Sequence, residues 1–309
     1  MVLLLKAGRE SAESWVEAFG EHLPDLEVRV WPDCGKPEDI QYALVSRMPG
    51  GELSGFPNLR FIASMSVGVE HLLNDAELPK GVPLVRNINT QRASTMAEYV
   101  TYHVLRYFRR FPEYQAQQAA KIWKRLPKRD AAETRIGIMG LGSLGLTVAD
   151  KLRLFRFDIA GWTRTAHSHE GITNFVGADG FHPFLASCDI LVSLLPLTEQ
   201  TRDILGAKAF AALPQGAYLI NCGRGEHVVD ADLIAALDSG HLAGATMDPF
   251  REEPLPPSHP FWAHPKITLT PHNSCDGRAN FGVRNIVENI RRARDGRPLV
   301  NLVDRKAGY

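Results

Sequence analysis

Residues 134–145 constrain this chain more than any other stretch. Thr134 to Met139 is a short apolar run with strand character, and it leads directly into Gly140-Leu-Gly142-Ser143-Leu144-Gly145. Helical spacing of apolar residues follows from Leu144 to Phe155, and a second strand is expected from Asp158 to Thr163. A glycine triplet alone is a weak signal, but set between a strand and a helix it becomes specific. Gly140 permits the tight turn, Gly142 lets backbone approach a pyrophosphate, and Gly145 lets the helix pack close to the sheet. The amides of Ser143 and Leu144, at the helix start, then face the phosphates. The plain alternative is a glycine-rich turn with no ligand, and the surrounding strands and helix weigh against it.

The end of the second strand indicates which dinucleotide is held. A site for NAD places Asp or Glu about 20 residues on, against the ribose 2′-hydroxyl. Here the chain reads Gly161-Trp162-Thr163-Arg164-Thr165, with no acid at that place. A carboxylate there would repel a 2′-phosphate. Thr163 and Thr165 can donate hydrogen bonds, and Arg164 can offer its planar fork. His167 and Ser168 are close enough in sequence to assist. The expectation is NADPH as cofactor, with NADH less favoured; the alternative is a solvated Arg164 in a surface loop.

Strand and helix patterns alternate along most of the chain. Strands are expected at Val2–Leu5, Val28–Val30, Tyr42–Val45 and Phe61–Ser64, with a helix from Ser11 to Phe19. A long helix is expected from Ser94 to Arg110, then a polar loop from Lys121 to Glu133. Further strands are expected at Asp189–Leu195, Tyr218–Asn221, Ala243–Met247 and Ile267–Thr270. Helices are expected from Ala231 to Ser239 and from Asn280 to Arg294. Two such series imply an α/β chain of two doubly wound, Rossmann-like domains with parallel sheets and a cleft between them. Residues 1–92 plus 278–309 form a discontinuous, flavodoxin-like substrate-binding domain. Residues 93–277 form the dinucleotide-binding domain.

Composition narrows the function classes. Lys plus Arg and Asp plus Glu are 35 each, so no global charge attracts nucleic acid or an anionic membrane. No apolar run is long enough to span a bilayer, and Met1–Leu5 is too short for a signal peptide. Cys34, Cys188, Cys222 and Cys275 are scattered, which suggests neither a metal site nor a disulfide framework. The expected setting is a reducing cytoplasm.

Three segments after expected strands carry reactive groups. They are Asn221-Cys222-Gly-Arg224-Gly-Glu-His227, Asp248-Pro-Phe-Arg-Glu252-Glu253-Pro254-Leu-Pro, and Pro271-His272-Asn273-Ser274. Catalytic groups of open α/β sheets gather at the carboxyl ends of strands. With the glycine fingerprint, these elements resemble the D-2-hydroxyacid dehydrogenase family, in family order and over nearly the whole chain. The branch it resembles most reduces glyoxylate and hydroxypyruvate. Trp162-Thr163-Arg164-Thr165, Leu194-Leu195-Pro196-Leu197-Thr198 with Thr201, and Val303 to Tyr309 carry that likeness.

The resemblance implies roles. His272 gives a proton to the substrate carbonyl oxygen as hydride arrives at carbon. Glu253 hydrogen-bonds His272 and favours its protonated form by charge attraction. Arg224 binds the substrate carboxylate and polarises the carbonyl. Leu195, Pro196, Thr201, Cys222 and Asp248 border the cofactor, Asp248 with an orienting or electrostatic role. Amides of Val67 and Gly68, in Ser66-Val67-Gly68-Val69-Glu70, hold the carboxylate. Glu252 is expected to be solvated and His227 structural. Cys222 stands where a small residue is usual, either facing the nicotinamide with an oxidisable thiol or simply buried. Arg47 either charges the substrate pocket or points to solvent. A homodimer is implied through the helix from Ser94 to Arg110, where Tyr99, Tyr102, Tyr107 and Phe111 extend beyond one apolar face. Two other readings stay open: a non-catalytic NAD(P)-sensing protein of the same fold, and a dehydrogenase of another D-2-hydroxy acid.

Overall fold

A computed structural model describes residues 1–8, 11–166, 168–275 and 279–308. His167, Tyr309 and the domain boundary expected at 277/278 lie outside the described residues. The chain divides into two compact units, Met1–Arg92 with Gly277–Tyr309, and Ala93–Asp276.

The first unit runs β1 (Val2–Lys6), α1 (Ala12–His22), β2 (Glu27–Val30), β3 (Ile40–Val45), β4 (Phe61–Ser64), α2 (Glu70–Leu73) and β5 (Leu84–Arg86). All strand pairs are parallel and the order is β2-β1-β3-β4-β5. That is the flavodoxin-like doubly wound order. Alternation along β1 explains the two layers: Leu3 and Leu5 enter one core, Val2 and Leu4 the other. Helix α1 begins at Ser11, whose hydroxyl accepts from Ser14 N at 3.3 Å.

Helix α3 (Thr90–Phe108) leads into the second unit, followed by α4 (Phe111–Ala119), β6 (Arg135–Met139), α5 (Ser143–Arg153), β7 (Asp158–Thr163), β8 (Thr173–Val176), α6 (Gly177–Ala186), β9 (Ile190–Ser193), α7 (Ala207–Ala212), β10 (Ala217–Asn221), α8 (Asp230–Asp238), β11 (Leu242–Met247) and β12 (Ile267–Leu269). Its parallel sheet has the order β12-β11-β10-β9-β6-β7-β8. The winding reverses between β6 and β9, so a crevice lies at their carboxyl ends, the usual ligand place of an open α/β sheet. Ile136, Ile138, Tyr218 and Ile220 face one core; Met139, Leu219 and Met247 face the other. Finally α9 (Ala279–Arg294) returns to the first unit, where Val283, Ile286 and Val287 share a core with Trp15 and Phe19 of α1.

The aromatic residues of this segment divide between two directions. Tyr107 is 1% exposed and stacks on Tyr218 at 4.3 Å, and Tyr99 turns its hydroxyl to Thr270. The helix lies against the second sheet, so Tyr99 and Tyr107 pack within their own unit. Tyr102 and Phe111 do face out, at 62% and 54% exposure.

Candidate active site

The turn after β6 is shaped by close approach. Gly140 has φ +95°, a conformation that disfavours side chains. A Cβ on Gly145 would stand 2.0 Å from the Gly140 carbonyl oxygen, so helix and turn pack as they do only with glycine there. At Gly142, the N-cap of α5, a Cβ would meet no protein atom within 4 Å. Open space therefore lies beside Gly142, next to exposed Ser143 and half-buried Leu144 at the start of α5, as a pyrophosphate requires.

At the end of β7 the four expected residues separate by role. The Trp162 indole donates to Gly177 O at 2.8 Å and packs on Phe181, while the Trp162 carbonyl accepts from Gly140 N. The buried Thr163 hydroxyl donates to Thr165 O at 2.8 Å, so its proton shapes the turn rather than reaching outward. Arg164 and Thr165 are exposed.

Thr201 acts on its own loop. Its hydroxyl donates to Pro196 O at 2.7 Å and accepts from Thr198 N at 2.8 Å. That closes the segment from Pro196 and leaves Leu195 buried beneath it, at 9% exposure.

The reactive groups follow the carboxyl ends of β10, β11 and β12. His272 Nδ1 lies 2.8 and 2.9 Å from the two oxygens of Glu253. A carboxylate accepts only, so Nδ1 carries hydrogen and Nε2 is the ring nitrogen that Glu253 does not hold. Phe250 N donates to Glu253 Oε1 at 3.1 Å and fixes the carboxylate. Glu252 is exposed.

His272 has φ +53°, an uncommon conformation held by its surroundings. The anchor is Asp248, which is fully buried. Its Oδ1 accepts from Thr270 Oγ1 at 2.7 Å and Asn273 N at 2.8 Å; its Oδ2 accepts from Ser274 N at 3.1 Å. Residues on both sides of His272 thus hang on one carboxylate. The Tyr99 hydroxyl lies 2.5 Å from Thr270 Oγ1, tying α3 to the same turn. Sequence reasoning missed Tyr99 and Thr270, because nothing local marks an aromatic and a threonine 171 positions apart as partners.

Arg224 follows β10. Asn221 brackets it: Asn221 Nδ2 donates to Arg224 O at 2.9 Å and Oδ1 accepts from Gly223 N at 3.3 Å. Arg224 Nη1 donates to Gly223 O at 2.8 Å. Cys222 is buried, and desolvation followed by the charge of Asp248 pushes its thiol well above the ordinary value. A protonated thiol is a poor nucleophile, so the oxidisable reading of Cys222 gives way to the buried one.

In the first unit, Ser64 Oγ donates to Gly68 O at 3.1 Å and accepts from Ser66 N at 3.0 Å, which curls residues 64–68 into a loop. Among the described residues no acceptor meets the amides of Val67 and Gly68. Arg47 is exposed. Among the described residues, no group of three or more His, Cys, Asp or Glu side chains could hold a metal, and no helix is long and apolar enough to cross a membrane.

Comparison with known proteins gives a consistent picture. Residues 101–274 match the D-isomer specific 2-hydroxyacid dehydrogenase, NAD binding domain, family model. Glyoxylate/hydroxypyruvate reductase A of Yersinia enterocolitica is 40% identical over 303 residues, 96% of each chain. A D-isomer specific 2-hydroxyacid dehydrogenase from Xanthobacter autotrophicus, solved with NADPH and MES, has a TM-score of 0.96 and 39% identity, covering 100% of this chain and 99% of that one. An NADPH-dependent glyoxylate/hydroxypyruvate reductase from Sinorhizobium meliloti, solved with NADP and sulfate, has a TM-score of 0.94 and 34% identity, covering 100% of both.

Proposed function

The chain belongs to the D-isomer specific 2-hydroxyacid dehydrogenase family, and from that premise we propose that it is an NADPH-dependent reductase of small 2-oxo acids. Glyoxylate, reduced to glycolate, and hydroxypyruvate, reduced to D-glycerate, are the substrates we assign. The observation that carries this reading is the His272–Glu253 pair, set on a turn that a buried aspartate holds. The Yersinia and Sinorhizobium relatives bear the corresponding names. The choice of NADPH rests on exposed Arg164 with no acid at the end of β7, and on the NADPH and NADP bound in the Xanthobacter and Sinorhizobium structures.

The chain's own groups divide the work. Gly142 with the amides of Ser143 and Leu144 receives the pyrophosphate, and Arg164 with Thr165 receives the 2′-phosphate. Arg224 draws in the substrate carboxylate and polarises its carbonyl, and the Val67 and Gly68 amides are the first unit's own candidate carboxylate donors. When bound, the reduced nicotinamide supplies hydride to the carbonyl carbon. His272 gives the proton from Nε2 to the carbonyl oxygen, which completes the hydroxyl. Glu253 holds the imidazole in register through Nδ1 and offsets its positive charge. Asp248 and Thr270 keep the turn in place beneath it.

We assign a homodimer to the α3–α4 surface. Tyr102 on α3 and Phe111 on α4 are 62% and 54% exposed, and Ile122 and Trp123, just after α4, are 54% and 101% exposed, apolar surface that association would cover. Sedimentation should give twice the 34.2 kDa chain mass, and Trp123→Glu should shift it to one; a monomeric parent chain would contradict the assignment. Cys34, Cys188, Cys222 and Cys275 form no disulfide, which suits a reducing compartment, and we place the enzyme in the cytoplasm.

Consumption of NADPH and of NADH, followed in parallel with glyoxylate, hydroxypyruvate, pyruvate and phenylpyruvate, tests the assignment. NADPH with the two smallest hydrophilic acids should be fastest. Consumption with NADH alone would overturn the role given to Arg164. Turnover confined to phenylpyruvate would overturn the substrate class.

A further inference from the structure

His227 is fully buried and matches none of the roles above. A buried polar ring is costly unless both nitrogens are satisfied. Here each nitrogen meets a different segment. Nδ1 accepts from the backbone N–H of Arg224 at 3.1 Å. An N–H pointing at Nδ1 requires a lone pair there, so the ring is neutral and its proton sits on Nε2. Nε2 lies 3.3 Å from the carbonyl oxygen of Pro196, to which it donates. That same oxygen receives the Thr201 hydroxyl at 2.7 Å. The ring also presses on the Asn221–Arg224 bend: a Cβ on Gly223 would stand 2.7 Å from Nδ1 and 3.1 Å from Leu195 O.

The imidazole therefore stands between two segments with separate duties. One is the Pro196–Thr201 loop at the crevice beside β6 and β9. The other is the backbone that carries Arg224, whose carbonyl is already held by Asn221. With Asn221 fixing one side of residue 224 and His227 the other, the root of the Arg224 side chain cannot rotate freely.

We propose that His227, as the neutral Nε2–H tautomer, is a positioning residue that registers the substrate-carboxylate arginine against the cofactor loop. This rests on the reductase reading. Its two hydrogen bonds have separable consequences. The bond to Arg224 N governs affinity for the 2-oxo acid, and the bond to Pro196 O governs affinity for the cofactor.

Two substitutions in the full-length protein divide those bonds. His227→Asn keeps an acceptor at the place of Nδ1 and loses the reach to Pro196. His227→Gln keeps a donor at the place of Nε2 and loses the acceptor for Arg224. The measurements are KM for glyoxylate and, separately, the NADPH dissociation constant from nicotinamide fluorescence. The Gln variant should raise KM for glyoxylate roughly tenfold and leave NADPH binding within about twofold, the scale of one buried hydrogen bond. The Asn variant should do the reverse. Equal changes of both constants in both variants, no change in either, or loss of folded protein in both would overturn the proposal in favour of a purely structural ring. A wild-type protein that turns over no 2-oxo acid would overturn the reductase reading instead. The NADPH titration needs no turnover, so in that case it still judges the link to Pro196.

Discussion

His103 lies on α3 with 3% of its surface exposed, and its Nδ1 is 3.1 Å from Thr246 Oγ1. Burial, aided by the charge of Arg106, lowers its pKa from 6.5 to about 4. Above pH 6.5 the ring is neutral folded and unfolded, and its contribution to stability is complete. Between 6.5 and about 4 the unfolded chain takes up a proton that the folded chain refuses, so stability falls as pH falls. The full loss is on the order of 3 kcal/mol. Urea midpoints measured from about pH 7 to about pH 4 should show this slope, and His103→Gln should flatten it; an unchanged slope would mean that His103 titrates normally. None of this was legible from sequence, where one of 11 histidines on an apolar face carries no mark. The reactive residues were more legible, because Glu253, His272 and Arg224 sit in short motifs whose neighbours announce them. Thr163 and Trp162 were legible in place but not in detail. Their side chains turn inward to hold the strand end, which only the path of the following loop decides.

At the scale of elements, hydrophobic period carried most of the reading. Strands β4 and β7 begin and end where the apolar runs do. Helix α4 was missed because none of its residues is buried, so it carries no periodic face, and it starts after Arg110 in a left-handed conformation at φ 60°. Helix α6 was missed because Gly180 and Pro183 lie inside it, residues that argue against helix in any sequence reading. The glycine turn offers a contrast that tests its function apart from its stability. At Gly142 an added methyl meets only open space, so Gly142→Ala should change stability by no more than about 0.5 kcal/mol while weakening NADPH binding severalfold. At Gly145 the same methyl would stand 2.0 Å from Gly140 O, so Gly145→Ala should lose both, with a stability cost of roughly 1–3 kcal/mol. Thermal melts with a cofactor titration check the pair. Equal effects at both positions would mean that the space before Gly142 is not where the pyrophosphate lies.

At the scale of the whole molecule, two parallel sheets of 5 and 7 strands were readable as architecture, because parallel strands buried on both faces show continuous apolar runs. Strand counts were less readable: β5 and β8 are short, and β8 is partly exposed, so neither shows a buried run. Helix α9 shares a core with α1, in a stretch that the sequence pattern assigns to the same discontinuous domain as residues 1–92. The account as a whole stands on the claim that the turn after β12 presents a proton donor to a 2-oxo acid being reduced. The most direct test is NADPH oxidation by glyoxylate in the wild type and in His272→Ala, with NADPH binding measured for both. The account predicts turnover in the wild type, a fall in kcat of roughly 10²–10⁴-fold in the variant, and the same NADPH affinity in each. Turnover that survives the loss of His272, with cofactor bound as before, would contradict it.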